Sequence, residues 1–73
     1  MFKDKLLEAR LSNCMTQEEI SEKLGVSQAM YNMIEKGIRT PSFSILISLC
    51  VILNTTSDFL LSDEIKRMEE KIA

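Results

Sequence analysis

Residues 16–37 read TQEEISEKLGVSQAMYNMIEKG, and this stretch decides the fold. Thr16 is followed three residues later by Glu19, the spacing of a capping box, in which the threonine hydroxyl and the glutamate carboxylate each accept from a backbone amide that the helix leaves unpaired. A helix is predicted to start there. Ile20 and Leu24 lie one turn apart on one face, and Gly25 follows as the residue best able to take the left-handed conformation that ends a helix. The predicted helix is therefore short, roughly 17 to 24. Val26 is a lone apolar residue in the turn; Ser27 is a fresh N-cap, with Tyr31 and Ile34 at helical spacing after it and Gly37 as the next stop. Two brief helices joined by a tight, glycine-containing turn make a helix-turn-helix.

The ordered set Arg10, Thr16-Gln17-Glu18-Glu19, Leu24-Gly25-Val26-Ser27, Ile34-Glu35-Lys36-Gly37 and Pro41-Ser42 resembles the Cro/cI-type, or Xre-type, helix-turn-helix family of small bacterial and phage repressors. The resemblance covers about residues 3 to 61. It implies an all-α, lambda-repressor-like five-helix DNA-binding domain with the helix-turn-helix at helices two and three, and it leaves residues 62–73 as an extra C-terminal helix. It also implies roles. Ser27, Gln28, Ala29, Asn32 and Met33 face the bases, Gln17 and the loop after helix three meet phosphates, and Arg10 pairs with Glu35 at the end of the reading helix. Two solvated surface charges are the plain alternative for that pair, and a packing role is the equal alternative for Met33.

Seventy-three residues make one domain with a small core, so a dimer interface would help it. With 45% apolar residues, three phenylalanines, one tyrosine and no tryptophan, aliphatic side chains build the interior. No apolar run is long enough to cross a bilayer and the N-terminus has no signal-peptide core, which predicts a cytoplasmic protein and no membrane partner. Cys14 and Cys50 are then expected as reduced thiols. With no histidine, the chain shows no metal-ligand spacing, and neither a cofactor nor a small-molecule ligand is evident. The net charge of -2 is unusual for a DNA-binding domain, whose affinity comes largely from neutralising phosphates. Its few cations must be gathered by the fold, and affinity for random sequence should be modest and fade quickly with salt.

In chain order, helix one is predicted from about Lys3 to Ser12, with Phe2, Leu6, Leu7 and Leu11 inward. Cys14 or Met15 is expected to plug the gap beneath helix two. At the start of helix two, Gln17 is expected on a phosphate, helped by free amides and the positive end of the helix dipole. Helix three, roughly 28 to 36, is the reading head. Glutamine and asparagine can each pair with adenine, an alanine methyl or a methionine can lie on a thymine methyl, and serine can bond a base or a phosphate. Tyr31 stands where the family favours an aliphatic residue, so its ring is expected inside and its hydroxyl on water or a phosphate. Lys36, Arg39 and Thr40 complete the phosphate set, with amides of the same loop.

Ser42 caps helix four, Phe43 to about Leu53, with Leu46, Leu49, Cys50 and Leu53 inward. Asn54 stands where a glycine often ends it, and Thr56 caps helix five. Helix four is apolar nearly all round and so needs cover on more than one side. In the tail, Leu61, Ile65, Met68 and Ile72 repeat at coiled-coil spacing over less than two heptads. Ile45, Ile52, Phe59, Ile65, Met68 and Ile72 are therefore expected to form a two-fold dimer contact; the alternative is a tail folded back on its own helix four. Together these features point to a dimeric, sequence-specific DNA-binding regulator, most simply a repressor on a pseudo-palindrome read by two helices about 34 Å apart. The other reading is a protein-interaction module, such as the antitoxin of a toxin-antitoxin pair. An enzyme is remote, because no cysteine is paired with a base and no glycine-rich phosphate loop is present.

Overall fold

The computed structural model describes residues 2–72. Six helices follow one another: α1 (Phe2–Ser12), α2 (Gln17–Leu24), α3 (Gln28–Glu35), α4 (Phe43–Ile52), α5 (Ser57–Leu60) and α6 (Ser62–Ile72), with no strand among the described residues. The chain is all-α. Its helices begin where side chains can cap them. Thr16 accepts from the Glu19 amide while Glu19 accepts from the Thr16 amide, and Ser27, Ser42 and Thr56 each accept from the amide three residues on.

The first four end by one shared device. Cys14, Gly25, Gly37 and Asn54 all take the left-handed conformation, at φ between 51° and 79°. Around each, two amides turn back onto the last helical carbonyls. After α2 these are Gly25 to Glu22 and Val26 to Ser21, both 3.1 Å; after α3, Gly37 to Ile34 (3.1 Å) and Ile38 to Met33 (2.9 Å). The same pattern closes α1 through Cys14 and Met15, and α4 through Asn54 and Thr55. These are Schellman closures, which satisfy carbonyls that a helix end would otherwise leave bare.

The core is built from Leu6 and Ala9 of α1, Ile20 of α2, Tyr31 and Ile34 of α3, Leu49 and Leu53 from α4 and its cap, and Leu60 of α5. In α1 the inward pair is Leu6 and Ala9, whereas Leu7 and Leu11 are exposed, contrary to the stripe expected from the sequence. The small Ala9 side chain, not another leucine, occupies the buried position. Met15, rather than the exposed Cys14, packs against the core between α1 and α2. Neither cysteine is bridged, and burial raises the Cys50 thiol above its ordinary range.

Two features of the single chain bear on the expected dimer contact. Ile45 and Ile52 are half-buried against the chain's own core, because the helical wheel turns them toward it; the outward stripe of α4 is Phe43, Ile47 and Val51, one turn apart and exposed. The tail helix α6 packs on α5 and α1, not along α4, and contributes no buried residue. Ile65, Met68 and Ile72 are exposed along it, and Phe59 is partly screened by Lys5, whose Nζ stands 5.4 Å from the ring centre.

Candidate nucleic-acid interface

The helix-turn-helix owes its tightness to small residues. Ser21, buried within α2, donates its hydroxyl to the Glu18 carbonyl at 2.9 Å, so its polar atom is satisfied inside the unit. Val26 in the turn packs against the core, so α3 leaves the turn at a fixed angle. A side-chain bond then locks the two helices: the Gln17 amide nitrogen donates to Asn32 Oδ1 at 3.2 Å. The far end of α3 is held by Arg10. Its Nε donates to Glu35 Oε2 at 2.8 Å, its Nη2 to Oε1 at 2.7 Å, and its Nη1 to the Met15 carbonyl at 2.9 Å, so one guanidinium joins α1, the α1–α2 turn and α3. The pair is largely sequestered from solvent. Burial alone would raise the Glu35 carboxyl, but hydrogen bonds from Arg10, with the neighbouring Tyr31 and Gln17, hold it below the ordinary range.

Ahead of these two anchors the outer side of α3 is open. Ser27, Gln28 and Ala29 are exposed at its start, and Asn32 and Met33 are half-exposed one turn on. The five residues expected to face bases thus lie on one stretch of helix, though Asn32 already shares its carbonyl oxygen with Gln17. Gln17 is itself half-buried by that contact. The amides of Gln17 and Glu18 precede the first intrahelical bond of α2, from Ile20 to the Thr16 carbonyl, and so are left for an outside acceptor.

Tyr31 does not belong to the phosphate set. Its side chain is fully buried, and the hydroxyl is sealed beside the Arg10–Glu35 pair without a hydrogen bond of good geometry. Burial, with the Glu35 carboxylate beside it, pushes the phenol well above its ordinary value, so it stays neutral. The ring fills the core beside Leu6 and Ile34, and its oxygen is carried inside with it. The loop amides are corrected too. Those of Gly37, Ile38 and Arg39 are spent on the Ile34 and Met33 carbonyls in closing α3, which leaves the side chains of Lys36, Arg39 and Thr40, all exposed, as the polar groups this loop turns outward. Gly37 itself carried the signal, since a Schellman glycine implies that the amides around it face the helix.

Lys36, Arg39 and Thr40 share a cleft of about 540 Å³ with Lys3, Gly37 and, on α6, Glu64. Lys3 was outside the expected set. No local pattern points to it, because 34 residues of chain separate it from the glycine it touches: the stem of Lys3 lies across Gly37, with Cδ 3.1 Å from where a Cβ would stand.

Comparison with known proteins agrees with this architecture. A helix-turn-helix family model matches residues 6–60. The chain is 34% identical over 64 residues, 88% of its length, to the uncharacterized HTH-type transcriptional regulator YqaE of Bacillus subtilis (strain 168), and spans about half of that relative, 55%. No solved structure matches it. With the capping box, the glycine-closed turn and the Arg10–Glu35 brace in place, the chain belongs to the Xre-type helix-turn-helix family.

Proposed function

We propose that this protein is a sequence-specific DNA-binding transcriptional regulator, acting as a homodimeric repressor on a pseudo-palindromic operator in the cytoplasm. The observation that carries the reading is the open start of α3, where Ser27, Gln28 and Ala29 stand exposed on a helix held at its middle by Gln17–Asn32 and at its last residue by Arg10–Glu35. A helix so held can enter the major groove as a rigid body, with Gln28 and Asn32 reading adenine and Ala29 and Met33 lying on thymine methyls. Gln17, Lys36, Arg39 and Thr40 hold the sugar-phosphate backbone and set the register. Membership in a family whose relative is named a transcriptional regulator supports the same role.

The exposed stripe Phe43, Ile47 and Val51 is the dimer surface of this reading, and the apolar side of α6 is a second exposed apolar surface. That stripe, with the acidic net charge, also favours a second reading in which α4 receives a different protein, as in an antitoxin. Selection of bound duplexes from a random pool, followed by gel shifts of selected and random duplexes at two salt concentrations, separates the two. Enrichment of a two-fold symmetric sequence is expected; equal affinity for every duplex would favour the interaction reading.

A further inference from the structure

We infer that Lys3, at the opening turn of α1, is a phosphate contact, so that the DNA-binding surface extends beyond the helix-turn-helix onto the first helix. The inference rests on the DNA-binding reading above. Gly37 is left-handed at φ +79° and has no Cβ, and the Lys3 stem occupies the space that a Cβ would enter. This packing ties the Lys3 stem to the loop after α3. Its ammonium is two bonds beyond the carbon that touches Gly37, and Lys3 lines the same cleft as Lys36, Arg39 and Thr40.

Charge makes the position matter. The chain has nine cations against eleven anions, yet three of the nine, Lys3, Lys36 and Arg39, converge on this one cleft. All three are exposed, and none is paired with a carboxylate among the described residues. Glu64 also lines the cleft from α6, so three cations share it with one carboxylate. The loop amides of residues 37–39 are occupied by α3, so a phosphate at this cleft relies on side-chain charge, and Lys3 supplies a third cation for it.

The test is the salt dependence of binding to a selected and a random duplex. Lys3→Met keeps the stem over Gly37 and removes only the charge. The slope of log affinity against log salt should fall by about 0.9 on both duplexes, so the wild-type advantage shrinks about 3.5-fold between 50 and 200 mM salt, with base preference unchanged. Lys3→Arg should restore the slope, and Lys71→Met, near the far end of α6, should leave it as in the wild type. Thermal melting establishes that each variant is folded. If the wild type binds and Lys36→Gln lowers the slope while Lys3→Met does not, Lys3 is only a packing stem and this inference alone falls. A wild type that binds no duplex would overturn it together with the DNA-binding reading.

Discussion

Glu35 shows what a single residue contributes here. Its folded-state carboxyl titrates below the ordinary value of 4.5, so the stabilisation from the Arg10 pair is complete above that value and is lost as pH falls through the lowered one. Between pH 6 and pH 3 the wild type should therefore lose more unfolding free energy than Glu35→Gln, as measured by denaturant titration at each pH. Tyr31 makes the opposite point. Its hydroxyl has no well-formed partner, so Tyr31→Phe should change stability by less than about 1 kcal/mol and leave the salt slope of DNA binding untouched. A reduced slope would mean that the phenol does reach a phosphate. Cys14 is held at φ 56°, where a side chain costs energy that glycine avoids. Cys14→Gly should raise stability by about 0.5 to 1 kcal/mol in the same titrations.

At the scale of elements, α2, its turn and α3 were legible in the sequence because their signals are short-range. A capping hydroxyl and a terminating glycine act within four residues of the groups they satisfy, so Thr16, Gly25, Ser27 and Gly37 mark the boundaries directly. α1 was less legible. Phe2, Leu6, Leu7 and Leu11 allow more than one inward face, and the choice of Leu6 with Ala9 is made by how closely α3 approaches, which no window of α1 records. Burial of the Tyr31 hydroxyl and the approach of Lys3 to Gly37 are likewise contacts between distant segments. Within the reading helix, Gln28 is the exposed residue with the most specific base chemistry. Gln28→Ala should cost roughly 1–3 kcal/mol on the selected duplex and relax preference at one base pair; uniform weakening on all sequences would identify a backbone contact instead.

For the whole molecule, the question is what covers the apolar surface that one chain leaves open. Phe43 and Val51 are about three-quarters exposed on α4, and α6 adds Met68 and Ile72 without burying any residue of its own. Phe43→Lys with Val51→Lys should leave the monomer folded and convert a micromolar dimer to monomer in sedimentation, with loss of tight binding to a symmetric duplex and retention of weak half-site binding. A wild type that sediments as a monomer at that concentration would remove the dimer from the proposal. The Schellman closure at Gly37 has one more consequence. It turns the loop's main chain inward to finish α3 and gives the outward hold to Lys36, Arg39 and Thr40. In the proposed function, grip strength and architecture are thereby uncoupled: exchanging one surface charge would tighten or slacken the hold on DNA, while the scaffold that aims α3 stays unchanged.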